Sequence, residues 1–215
     1  MVKQRPANAI FNVPNQITSV RLVLAIIVFV VLPFELYLVS LVLFTIAAAT
    51  DWIDGYWARK YDQVTRLGRI LDPFVDKIII CGMYILLAAD TNQRVFADAQ
   101  IGIAGWMAVL VVARELLVTA IRSHIEKAGG DFSARWSGKI KMVVQCVAVF
   151  ITLLSLHLTR GSEHVVVDLQ PWLKSVLAVS VWLSIVCTVY SGVGYLRAAV
   201  RILRDDGDDE PTTAP

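Results

Sequence analysis

Four aspartates lie in one short stretch between two apolar runs: Asp51, Asp54, Asp72 and Asp76. With their neighbours they spell D-W-I-D-G-Y-W-A-R, then eight residues, then G-R-I-L-D-P-F-V-D. Asp51 and Asp54 are three apart, Asp72 and Asp76 four apart, so on helices each pair shares a face. Gly55 lies one turn beyond Asp51 and has no side chain to block a ligand. A carboxylate at hydrocarbon depth costs roughly 2.5–3.5 kcal/mol on insertion scales, and four close together repel one another. Divalent cations offset both effects. Four convergent carboxylates suit two Mg2+ or Mn2+ ions about 3.5–4 Å apart, which polarise a phosphoryl group and stabilise a leaving phosphate. A lone Asp at a helix end is usually a cap or a solvated charge. Asp72 before Pro73 looks by itself like a helix start. That reading leaves Asp51, Asp54, Gly55, Ala58, Arg59, Gly68 and Asp76 to separate coincidences.

The elements that must position these residues are membrane helices. The chain has 215 residues, 57% of them hydrophobic, and a mean hydropathy of +0.64, well above the habit of soluble domains. Six apolar runs stand out: Leu22–Leu32, Leu36–Thr50, Ile78–Ala89, Ile101–Ala113, Met142–Thr159 and Ser175–Leu196. Several fall short of the roughly 20 residues a span needs. Runs two to five continue at one end into helical-looking polar sequence, so helices that protrude from the bilayer are expected. The predicted fold is an all-α integral membrane protein with six transmembrane helices. Residues 1–21 are read as an N-terminal segment that could lie in the interface. Residues 22–200 form one six-helix domain, and 201–215 an acidic, disordered tail.

Basic residues alternate with the runs. Lys3, Arg5 and Arg21 precede the first; Arg59, Lys60, Arg66, Arg69 and Lys77 follow the second. Arg122, Lys127, Arg135, Lys139 and Lys141 follow the fourth, and Arg197, Arg201 and Arg204 follow the sixth. With six spans all of them fall on one side, which the positive-inside rule makes the cytoplasm of a cell (inner) membrane, with both termini and the motif there. The first run is followed by Pro33-Phe34-Glu35 and no small-residue cleavage site, so an uncleaved span is expected. Cys81, Cys146 and Cys187 all sit in apolar runs without metal spacing and are read as buried thiols. His124, His157 and His164 are scattered and receive no role.

The aspartate motif resembles that of the CDP-alcohol phosphotransferases, integral membrane enzymes, and the six-span layout extends the likeness from about Asn12 to Leu196. The resemblance implies that Asp51, Asp54 and Asp72 hold metal, two Mg2+ or Mn2+ ions in all, and that Asp76 holds metal and acts as the base. It implies that Gly55, Arg59 and Thr65 contact the CDP portion of CDP-diacylglycerol. An alcohol would attack the lipid-bearing phosphate and release CMP. It also implies a homodimer; nucleic acid is not an expected partner.

Other segments narrow the acceptor. V-P-N-Q-I-T-S-V-R, with Pro14, Asn15, Thr18 and Arg21, resembles the branch of this family that uses glycerol 3-phosphate, and Asn15 and Thr18 join the expected CDP-diacylglycerol contacts. A-R-E at Ala113–Glu115, I-R at Ile121–Arg122, G-K-I-K at Gly138–Lys141 and the L-D-P-F-V-D-K stretch agree with it. Met142 and Val75 depart from the branch, which commonly has Thr and Ala there; neither is a charged ligand. Arg114, Arg122, Lys139 and Lys141 cluster at helix ends and are read as the acceptor-phosphate site, since Arg offers a fork and Lys a point charge to phosphate. For Arg114 the rival is pairing with Glu115 or a motif Asp. For Lys127 and Arg135 the positive-inside rule is explanation enough. Arg21 stands open between the two. The alternatives are another acceptor, inositol phosphate or serine, and a metal-ion carrier. A carrier should place its carboxylates near the bilayer midplane and often shows repeated halves; here they lie at one edge and the halves differ.

Overall fold

A computed structural model describes residues 13–61, 66–89, 102–127, 136–159 and 170–208. Among them are six α-helices and no strand: α1 (Val13–Val31), α2 (Tyr37–Tyr61), α3 (Arg66–Ala88), α4 (Gly105–Lys127), α5 (Trp136–Thr159) and α6 (Pro171–Asp208). Each of the six apolar runs lies in or overlaps one helix. Among the described residues three stretches are long and apolar enough to cross a membrane, Asn15–Phe34, Ile140–Thr159 and Pro171–Arg197; the apolar part of α2, Tyr37–Thr50, is shorter.

Local chemistry sets several boundaries. Pro14 sits in the first turn of α1, where its missing N–H is not needed. Pro33 opens a 3-10 turn, Leu32–Phe34, which ends on Glu35 at φ 60° with its N–H donating to the Leu32 carbonyl at 2.9 Å. That left-handed residue turns the chain into α2. Pro73 does not start a helix, as it would suggest if taken alone; α3 begins at Arg66 and carries Pro73 inside it. The ring forfeits one backbone donor, yet the helix continues and keeps Asp72 and Asp76 on one face. Residues 13–21 are continuous with the first apolar run in α1, and 201–208 are the last turns of α6.

The helices pack as a closed ring: α1 touches α2 and α3, α3 touches α4, α4 touches α6, α6 touches α5, and α5 touches α2. Contacts between α3 and α5 cross the ring. Side-chain pairs show the directions. Thr18, Arg21 and Phe29 of α1 meet Asp72, Asp76 and Gly82 of α3 in the same order, so these two helices run parallel. A Cβ on Gly82 would stand 2.2 Å from the Phe29 ring; the missing side chain lets α1 lie close enough to α3 for the polar pairs to form.

The bundle's apolar core also holds buried polar side chains, and its outer face is apolar. Ser40, Gln145, Thr152, Ser155, Ser184 and Thr188 are fully buried, while Val23, Ile26, Val109, Val143, Val179 and Trp182 are exposed. Small hydroxylated residues at helix contacts and aliphatic outer faces are what a hydrocarbon solvent selects, because it offers no hydrophobic drive between helices and no water for polar groups. Tyr84 donates to Ser184 at 2.7 Å across the α3–α6 contact. Cys81, Cys146 and Cys187 are free and half-buried. The chain is a membrane protein.

Candidate active site

Parallel packing of α1 on α3 matches two polar pairs turn for turn. Thr18 Oγ1 donates to Asp72 Oδ1 at 2.5 Å, and Arg21 Nη1 lies 2.8 Å from Asp76 Oδ1. Arg21 is only 1% exposed. A guanidinium so buried requires a carboxylate partner, and Asp76 supplies it. Asn15, one turn earlier on α1, is also buried. The sequence left Arg21 open between a topogenic charge and a site residue; its burial against Asp76 makes it part of the site.

A cavity of about 230 Å³ opens between α3, α4, α5 and α6. Four cations line it: Lys77, Arg114, Arg122 and Lys141. They face two carboxylates, Asp76 and Glu115, so the walls carry two net positive charges. Glu115 Oε1 accepts from Arg114 Nη1 at 2.9 Å and also from Lys141 Nζ. Arg114 Nη2 donates to Ser191 Oγ at 2.5 Å, and the guanidinium carbon lies 5.5 Å from the centre of the Tyr195 ring, within cation–π range. A Cβ on Gly192 would come within 3.2 Å of Arg114 Cγ, so that glycine leaves room for the arginine. The pairing of Arg114 with Glu115, weighed against phosphate binding, does form. It also fixes the guanidinium at the cavity wall, where its buried Nε has no hydrogen-bond partner among the described residues. An unpartnered buried N–H of a charged group beside a cavity fits an anionic ligand.

Lys77, just outside the third apolar run, donates to Thr119 Oγ1 at 2.6 Å. Burial pushes its ammonium below the ordinary lysine value, and the Glu115 carboxylate pulls the other way. In the sequence Lys77 counted only toward the orientation and the family likeness, and Gln145 and Tyr195, which also line the cavity, had no role. The periodicity of α5 holds the one signal available: Gln145 is one turn beyond Lys141 on the same face.

Asp72 and Asp76 bring hard oxygen donors to one face of α3, the donor chemistry of Mg2+ and Mn2+. The backbones of Asp51, Asp54, Gly55 and Arg59 belong to α2, but their side chains lie outside the described residues. Thr65 lies outside them altogether, as does the side chain of Lys139. Among the described residues no group of three or more potential ligands stands together. The donor set of the motif fits divalent metal; the structure joins the α3 pair to α1 and sets Asp76 on the cavity wall.

The sequence model of the CDP-alcohol phosphatidyltransferases matches residues 11–198. Three bacterial relatives carry the name CDP-diacylglycerol–glycerol-3-phosphate 3-phosphatidyltransferase. That of Bacillus subtilis (strain 168) is 35% identical over 67% of this chain and 77% of its own. That of Pectobacterium atrosepticum is 30% identical over 88% of this chain and 95% of its own. That of Haemophilus influenzae is 28% identical over 91% and 97%. The match runs from before the first helix to the sixth, through the aspartate motif and every wall of the cavity, and on it this chain belongs to the CDP-alcohol phosphatidyltransferase family.

Proposed function

We propose that this protein transfers the phosphatidyl group of CDP-diacylglycerol to sn-glycerol 3-phosphate, giving phosphatidylglycerophosphate and CMP. One observation carries the choice of acceptor: Asp76, the expected base, lines the same cavity as Lys77, Arg114, Arg122 and Lys141. A phosphate monoester is largely a dianion at neutral pH, and the two net positive charges of the walls match it. The names of the relatives support the same acceptor.

Arg114, Arg122 and Lys141, with Lys139, bind the acceptor's phosphate and leave its far hydroxyl toward Asp76. Asp76 takes the hydroxyl proton as the oxygen forms its bond to the lipid-bearing phosphorus; the bond from that phosphorus to the CMP oxygen breaks, and CMP leaves. Arg21 holds the Asp76 carboxylate in place through the 2.8 Å contact. Asn15, Thr18, Gly55, Arg59 and Thr65 receive CDP-diacylglycerol. Asp51, Asp54, Asp72 and Asp76 would hold two Mg2+ or Mn2+ ions, which supply Lewis-acid stabilisation of charge on the phosphate oxygens. An acceptor panel with purified protein, CDP-diacylglycerol and Mg2+ or Mn2+ tests the reading. CMP release is expected with glycerol 3-phosphate; release with free glycerol, serine or inositol phosphate instead would overturn the acceptor while leaving the family intact.

The same reading has six spans, with the aspartates and both termini on the cytoplasmic side of the cell membrane, an N-terminal segment 1–21 and an acidic tail 201–215. The parallel run of α1 and α3 supports alternate crossing, and the distribution of Lys and Arg supports the orientation. A homodimer belongs to it through the family likeness. In a protein freed of Cys81, Cys146 and Cys187, a cysteine introduced at Gln63 should resist a membrane-impermeant thiol reagent applied to intact cells. One introduced at Asn92 should react. The opposite pattern would invert the topology.

A further inference from the structure

Gln145 is fully buried in α5 and lines the cavity one turn below Lys141. Its Nε2 donates to Thr188 Oγ1 at 3.0 Å. Thr188 in turn donates its only hydroxyl proton to the Ser184 carbonyl at 2.7 Å. This relay fixes which way the amide faces. With the amide flipped, Oε1 would meet a hydroxyl oxygen that has no proton left to give. Thr188 therefore cannot serve Oε1, which has no hydrogen-bond partner among the described residues. A buried amide oxygen held in one orientation, unpaired, at the wall of a cavity lined by cations is an acceptor waiting for a donor. The nearby cations spend hydrogen bonds elsewhere: Lys141 on Glu115, Arg114 on Glu115 and Ser191, and Lys77 on Thr119.

We infer that Gln145 Oε1 accepts a hydrogen bond from the secondary hydroxyl of the acceptor, making Gln145 a specificity-determining residue for a vicinal hydroxyl beside the nucleophile. The inference rests on the proposed acceptor chemistry. Sn-glycerol 3-phosphate has three functional positions. Its phosphate meets the guanidinium and ammonium groups, and its primary hydroxyl meets Asp76. The hydroxyl between them is left for a neutral acceptor on the cavity wall. Gln145 meets that need without adding charge, and Thr188 is a positioning residue that acts through it.

The test compares sn-glycerol 3-phosphate with 3-hydroxypropyl phosphate, which keeps the phosphate and the primary hydroxyl and lacks the secondary one. With CDP-diacylglycerol and Mg2+ or Mn2+, the wild type should favour glycerol 3-phosphate in kcat/KM by about tenfold or more, the effect of one buried hydrogen bond left unmade. Gln145→Leu should bring the two acceptors close to equality, mainly by raising the glycerol 3-phosphate KM. Thr188→Val, which frees the amide to turn, should move the ratio the same way and decides the matter if Gln145→Leu does not fold. A wild type that uses both acceptors equally well would overturn the role of Gln145 alone. So would variants that lose activity on both acceptors in the wild-type ratio, since that is the mark of a purely structural residue. A wild type that uses neither phosphorylated acceptor would remove the acceptor reading and this inference with it.

Discussion

Asp76→Asn is expected to lower turnover by at least about 100-fold, the lower range for loss of a general base. The substitution changes size very little. It retains an oxygen for Arg21 Nη1, now at 2.8 Å from Asp76 Oδ1. What it removes is the ability to accept the acceptor's proton and one negative charge from the expected metal shell. Asp51→Asn, Asp54→Asn and Asp72→Asn remove charge from the same shell and should fall in the same range, with activity also lost in chelator and restored by Mg2+ or Mn2+. Arg21 provides the control for a mere folding defect. It is buried, and neutralising its partner leaves an uncompensated guanidinium, so the thermal midpoint of Asp76→Asn should be read alongside its rate. A folded Asp76→Asn protein with normal turnover, or full activity in chelator, would sink the mechanism.

Arg114→Ala should cost the acceptor roughly 1.5–3 kcal/mol, the loss of a charge-assisted hydrogen bond in a partly desolvated site. That corresponds to about a 10- to 150-fold fall in kcat/KM for glycerol 3-phosphate, since each ~1.4 kcal/mol is tenfold. Arg122→Ala should act in the same direction. The KM for CDP-diacylglycerol should barely move, because Gly55 and Arg59 belong to α2, away from the α4 wall. Arg114→Lys should recover only part of the loss. An ammonium keeps the charge, but its three N–H groups diverge from one atom and cannot reproduce the planar fork that reaches Glu115 and Ser191 from separate nitrogens. If Arg114→Ala and Arg122→Ala both keep a normal glycerol 3-phosphate KM, the phosphate pocket lies elsewhere.

The metal-carrier alternative has lost its support. The family match covers residues 11–198, and the cavity at Asp76 is lined by four cations, which suits an anionic substrate.

Part of the candidate site was legible in the sequence because the expected catalytic chemistry is confined to one short motif. Carboxylates three and four residues apart must share a helix face, whatever the helix packs against, so the pairing of Asp72 with Asp76 needed no coordinates. Arg114, Arg122 and Lys141 were also marked, since cations at the ends of apolar helices have few roles. Pro73 read alone pointed elsewhere. A local rule makes proline a helix start, but neighbouring turns carried α3 through it.

The sequence by itself determined the all-helical class, the six apolar elements, the aspartate motif and the basic character of one set of connections, because each is written in local spacing and composition. Tertiary structure decided which of these residues meet. Nothing in the spacing sets Thr18 beside Asp72 or Arg21 beside Asp76, more than fifty positions away; the close α1–α3 contact at Gly82 does. Nor does any local rule tie Arg114 to Ser191 and Tyr195, or orient Gln145 through Thr188. Those partners are brought together only when α4, α5 and α6 close the ring, and in a membrane bundle the closing contacts are small polar residues whose pattern along the chain is too weak to name their partners.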